Sequence, residues 1–106
     1  MSCEKQFRGW PSAVVEYFCA HATLFPGLQL KEYARGIKTL VRFGLLPNPE
    51  DFRKMADICR RNLYGKRTWN VIIEAVTASA QSGGDPFAQL EEMIQTGIKR
   101  WWLFRI

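Results

Sequence analysis

The sequence predicts an all-α domain of five helices, and three observations predict it. Apolar residues recur with helical period in every segment between breaks. The breaks themselves carry helix-start and helix-stop chemistry: Pro26-Gly27, Gly44, Asn48-Pro49, Gly65 and Asp85-Pro86. No alternating apolar run bounded by hairpin residues competes, because the β-branched residues are scattered. At 106 residues the chain is read as one domain, 1–106, with a modest core. Four Trp and seven Phe within a 47% hydrophobic composition favour a folded chain over a disordered one.

Residues 1–11 read as a flexible polar arm that ends at Gly9-Trp10-Pro11. Residues 12–25 then place Val14, Val15, Phe18, Ala22 and Phe25 at helical spacing until Pro26-Gly27 stops them. The second helix, residues 28–43, backs onto an apolar stripe of Tyr33, Ile37, Leu40 and Val41, with Gly44 as its left-handed stop. The third opens at Asn48-Pro49-Glu50-Asp51. Asn48 can accept from free backbone N–H groups, Pro49 is preset for the first turn, and the two acids face the positive dipole end. It turns Phe52, Met55, Ile58, Cys59 and Leu63 inward and is expected to close at Gly65. The fourth begins near Thr68 and carries Trp69, Ile72, Ile73 and Val76; with Glu74 its only charge, it is expected to be the most buried. Beyond the loose link Ser82-Gly83-Gly84, a fifth helix from about residue 86 offers Phe87, Leu90, Ile94, Ile98 and Trp101. There is no internal repeat.

Charge is the most specific feature of the chain. Lys31, Arg35, Lys38 and Arg42 recur at i, i+4, i+7 and i+11 of the second helix. At about 100° per residue they fall within a ~60° wedge, opposite the apolar stripe. The wider pattern is polarised. Residues 31–67 hold ten Lys/Arg against four acids, whereas residues 68–98 hold no Lys or Arg and four acids. Further pairs of cations, Arg53-Lys54, Arg60-Arg61 and Lys66-Arg67, follow the stripe. A surface with that many unpaired cations repels itself, and an anionic partner would relieve the repulsion.

Enzymatic chemistry has little to stand on. The single His21 shares its helix only with Glu16 and Cys19, neither placed to form a catalytic pair, and it reads as a surface or half-buried histidine. No metal-ligand spacing is present, no glycine loop for phosphate, and no cofactor motif. Glu91-Glu92 read as solvated charges. Cys3, Cys19 and Cys59 are odd in number and widely spaced; Cys19 and Cys59 fall on apolar helix sides, where a free thiol behaves as a small hydrophobe. That predicts free cysteines and a reducing compartment. No apolar run approaches the ~20 residues of a membrane span, no secretory leader is legible, and Ser2 excludes N-myristoylation of this terminus.

Which anion the stripe meets is the functional question. Nucleic acid and anionic membrane both satisfy the charge, but no helix-turn-helix, zinc-finger or ribonucleoprotein aromatic signature is present. Non-specific RNA binding by the same cations stays open. So does a different class of role, a helical adaptor docking a protein partner through Trp101, Trp102, Leu103 and Phe104. That tail, residues 99–106, ends without a helix-stop signal, as a fragment of a longer chain would.

Several residues in this order resemble a known pattern. Ala13-Val14-Val15 opens the first helix, Gly44-Leu45-Leu46 closes the second, and Pro49 with Asp51-Phe52 follows. Lys66-Arg67-Thr68-Trp69 then leads into Val71-Ile72-Ile73-Glu74-Ala75-Val76-Thr77-Ala78. The chain in this respect resembles the matrix domain of retroviral Gag polyproteins, especially the non-myristoylated avian sarcoma and leukosis type, viral or host-derived. The arm before Pro11 and the tail after Ile98 depart from that pattern. The resemblance implies a compact five-helix matrix-like bundle, non-enzymatic and free of cofactors. It further implies targeting to the cytoplasmic inner face of the plasma membrane through anionic phospholipid, with weak single-copy binding multiplied by self-association in assembly. The family's basic residues do not map singly onto this chain. The expected lipid-binding residues are therefore Lys31, Arg35, Lys38 and Arg42, chosen by helical geometry, with Lys5 and Arg8 of the arm as helpers.

Overall fold

The structure is a computed structural model, and it describes residues 3–25, 27–61 and 65–96. Five α-helices form the domain: α1, Ser12–His21; α2, Leu30–Arg42; α3, Pro49–Arg61; α4, Gly65–Gln81; and α5, Ala88–Thr96. Short 3-10 helices at Cys3–Phe7 and Ala22–Leu24 flank α1. The described residues contain no strand, and the fold is the all-α five-helix bundle expected from the sequence. Helix α4 lies at its centre, packed on α2, α3 and α5. Nearly every apolar position on its inner face is buried: Trp69, Val71, Ile72, Ile73, Ala75 and Val76.

Local chemistry sets the element boundaries. At α3 the Asp51 backbone N–H donates to Asn48 Oδ1 at 2.8 Å, with Pro49 as the first helical residue, so Asn48 caps the helix as its position predicts. At the far end of α2, Leu45 N–H donates to Leu40 C=O at 2.8 Å and Gly44 N–H to Val41 C=O at 2.9 Å. Gly44 sits at φ +76°, which makes this a Schellman stop. Two boundaries differ from expectation. Gly65 does not close α3; it is the first residue of α4, which therefore takes Lys66 and Arg67 into its opening turn. Residues 22–25 leave the α-helix, because Ala22–Leu24 tightens to 3-10 geometry before Phe25 turns into the core.

The larger departure is at the start of the chain. Residues 3–10 do not stand off as a flexible arm. Phe7 is 1% exposed, stacked on Phe18 with centroids 5.6 Å apart and tilted against Trp10 at 5.2 Å. One large apolar residue in a polar stretch gives no periodic signal, so its burial is a tertiary fact that local sequence does not announce.

The contact that seats α2 is built from a missing side chain. Gly36 faces the buried Trp69 ring, and a Cβ there would fall 2.6 Å from Trp69 Cε2 and 2.7 Å from Cζ2. Trp69 cannot retreat: Phe25 meets its edge at 4.9 Å, Tyr33 stacks on it at 5.6 Å, and its Nε1–H donates to the Glu32 carbonyl at 3.1 Å. Tyr33 is held in turn by its hydroxyl, which donates to Phe18 C=O at 2.8 Å.

Gly36→Ala should therefore destabilise the fold. Better helix propensity would return about 1 kcal/mol, but overpacking against an immobile ring costs about 1–3 kcal/mol. Steric cost prevails, and a urea titration should show a lower midpoint at unchanged slope. A second outcome concerns Asp51, which is buried at the start of α3. Burial pushes its carboxyl above the ordinary range, against the opposing hydrogen bond from the Asn48 backbone and the Lys54 charge. Such an acid binds its proton more readily in the folded chain than in the unfolded one. Stability should accordingly decline as pH rises from about 4 through the raised value. Asp51→Asn should lack that decline in denaturant midpoints measured across the same range.

Candidate functional site: a cationic ridge on α2

With α2 seated on Trp69, the two sides of the helix separate sharply. Tyr33, Ala34, Gly36, Ile37 and Leu40 are buried and Val41 is half-buried, whereas Lys31, Arg35, Lys38 and Arg42 are all exposed. The four cations expected from spacing thus form one ridge along the solvent side. Among the described residues, no carboxylate lies within 4 Å of Lys31, Lys38 or Arg42.

Arg35 is the exception. Its guanidinium lies 3.7 Å from Glu32 Oε2, while the Lys66 ammonium reaches Glu32 Oε1 at 3.6 Å. Glu32 is only 5% exposed, so its charge needs company, and two cations supply it, one at each oxygen. Helical periodicity places Glu32 at the ridge margin but does not disclose its burial. That comes from α4 closing over it.

Lys5 and Arg8 are exposed on the docked N-terminal segment, which packs against both α1 and α2. The Lys38 ammonium sits 5.9 Å above the Phe7 ring, so this segment adjoins the middle of the ridge. Arg8 lines a shallow depression together with Glu4 and Glu16.

The other cations are less available than their clustering suggests. Lys54 donates to Glu91 Oε1 at 2.6 Å and lies 3.9 Å from Glu50, and the Glu91 hydrogen bond raises its pKa. Arg61 pairs with Asp57 at 3.2 Å. The expectation of three unpaired clusters after the stripe is thus corrected: Lys54, Arg61 and Lys66 each have a carboxylate partner, and Glu91 is not a merely solvated charge. Acid-rich α5 packs on α3 and α4. Arg53 and Arg60 of α3 are exposed with no carboxylate within 4 Å among the described residues, but only α2 sets three such cations in one row.

Trp101, Trp102 and Phe104, named above as possible partner anchors, lie outside the described residues, as do Ile98 and Leu103. His21 is half-buried: Nδ1 lies 2.7 Å from the Tyr17 carbonyl, and its ring stacks on Phe52 at 4.8 Å. No described helix is long and apolar enough to cross a membrane.

The cysteines do not follow the sequence reading. Cys3 and Cys19 are joined in a disulfide, with Cα atoms 5.7 Å apart, between the N-terminal 3-10 helix and α1. The pairing arises because Phe7 draws the segment onto α1, a contact with no local signature. Cys59 alone is free; it is buried, and burial pushes its thiol up to about 12. The inference of a reducing compartment rested on three free thiols and loses that support.

No protein-family model, curated protein or solved structure matches the chain.

Under non-reducing conditions a thiol reagent should find no reactive cysteine in the folded protein and one after denaturation. Cys3→Ser should lower stability by about 3 kcal/mol, the scale for a closed loop of this length, read from denaturant unfolding against the oxidised parent.

Proposed function

We propose that the chain is a non-enzymatic domain that docks on an anionic membrane surface through the α2 ridge, in the manner of a matrix domain. One observation carries this reading: four exposed cations align along a single rigid helix, three of them with no carboxylate partner among the described residues. A ridge of this kind matches a planar array of negative headgroups better than a concave site for a small anion. The resemblance of the chain's apolar and turn residues, though not of its cations, to retroviral matrix domains supports the same direction.

Magnitudes shape the mechanism. Each Lys or Arg at an anionic bilayer contributes about 1 kcal/mol, so the ridge supplies about 4 kcal/mol, reduced where Arg35 shares Glu32. Such binding is weak for one copy and becomes firm when several copies act together. Self-association therefore belongs to the proposal. The partner is defined by its chemistry, a bilayer face rich in phosphatidylserine or phosphoinositide.

Vesicles containing phosphatidylserine should pellet the protein at low salt, neutral phosphatidylcholine vesicles should not, and binding should fall steeply with ionic strength. Lys31→Glu combined with Lys38→Glu should abolish pelleting without changing the unfolding midpoint. A double variant that pellets like the parent removes the ridge as the contact surface. Displacement of the protein from vesicles by single-stranded RNA at equal charge would move the assignment to nucleic acid.

A further inference from the structure

Residues 3–10 pack against α1 and α2, yet little besides one ring and one covalent bond holds them there. Among the described residues, no hydrogen bond or ion pair joins the segment to any of the five helices; the Trp10 N–H bond to Phe7 C=O at 3.1 Å lies within it. Phe7 alone is fully buried, stacked on Phe18, with the half-buried Trp10 tilted against it. Glu4, Lys5, Arg8 and Gly9 are exposed. Fixing the backbone of a whole segment costs more than burying one ring and part of another returns. The difference falls to the Cys3–Cys19 bridge, which fastens the segment to α1 at its outer end. Both bridged cysteines keep some exposure, whereas Cys59 is buried in the core and offers no third thiol to exchange with them.

We propose that this bridge is a redox latch, which decides whether residues 3–10 lie on α1 and α2 or leave them. A dithiol reductant opens it by exchange. One thiolate of the reductant attacks a bridge sulfur, the S–S bond breaks, and the other sulfur departs as a thiolate that takes up a proton. The second thiol of the reductant then displaces the mixed disulfide. The protein gains two electrons and two protons, and the reductant becomes the disulfide. With the latch open, the entropy of the segment prevails and it swings off. Helices α1–α5 keep their core, because Phe7 is the one buried residue that departs. Release uncovers the face of Phe18 on which Phe7 stacks and takes away the ring beneath the Lys38 ammonium. Lys5 and Arg8 leave with it, so the charge beside the ridge follows the redox state of the surroundings. The latch operates whether or not the ridge meets a membrane.

Trypsin reads the latch directly, because Lys5 and Arg8 lie within the segment. Cleavage after both should be slow in the oxidised protein and quicken roughly a hundredfold after dithiothreitol, the scale for a bridge closing a loop of this length. Cleavage after Arg35 and Lys38 within α2 should stay slow, and the helical circular dichroism should not change. Iodoacetamide added to the reduced, folded protein should label Cys3 and Cys19 but not Cys59. Cys3→Ser should be cut at the fast rate with or without reductant. Equal cleavage after Lys5 and Arg8 in the two redox states would overturn the latch, as would a bridge that dithiothreitol leaves intact until the protein is denatured. Cleavage within α2 that rises in step with cleavage after Arg8 would make the bridge a tie for the whole fold and remove the proposal equally.

Discussion

Everything on the outside of α2 depends on the absence of a side chain on its inside. Gly36 lets the helix axis approach the Trp69 ring closely enough for the indole N–H to reach the Glu32 carbonyl. That approach fixes the rotation of α2 about its own axis. Rotation decides which residues face water, so the outward aim of Lys31, Arg35, Lys38 and Arg42 is set by a contact on the other side of the helix. An α-helix is a stiff rod with about 100° between neighbours, and pinning one face determines the rest. Phe25, Tyr33 and Phe18 then brace the ring that does the pinning.

The same contact explains why a carboxylate is buried here. Bringing α4 against α2 covers Glu32, whose charge would be costly alone. Arg35 and Lys66, one from each helix, approach its two oxygens. The arrangement diverts part of the positive charge of Arg35 inward and spares Lys31, Lys38 and Arg42. Elsewhere, Lys54 with Glu91 ties α3 to α5.

The helices were legible because their signals are local. Asn48-Pro49, Gly44 and the apolar spacing of Trp69, Ile72, Ile73 and Val76 act within a few residues, and each ended where that chemistry operates. The ridge was legible for the same reason, since periodicity alone sorts a helix into faces. What escaped was tertiary. Gly36 within a helix looks like a weak spot until a Trp from thirty-three positions away is set against it. Phe7 and Cys3 sit in a stretch with no pattern, so neither its docking nor the bridge to Cys19 could be read. Gly65 misled because glycine both stops and starts helices, and which it does depends on how the next segment packs.

The stapling of the first residues has a practical side. Cys3 is fixed to α1, and the short helix after it lies on α2 beside Lys38. Anything joined ahead of Cys3 therefore leaves the domain next to the row of cations, within reach of whatever they hold. A purification handle placed there, particularly an acidic or histidine-rich one, would compete for that surface and disguise its preferences. α5 packs on α3 and α4. Attachments carried on that helix would leave the positive side unobstructed.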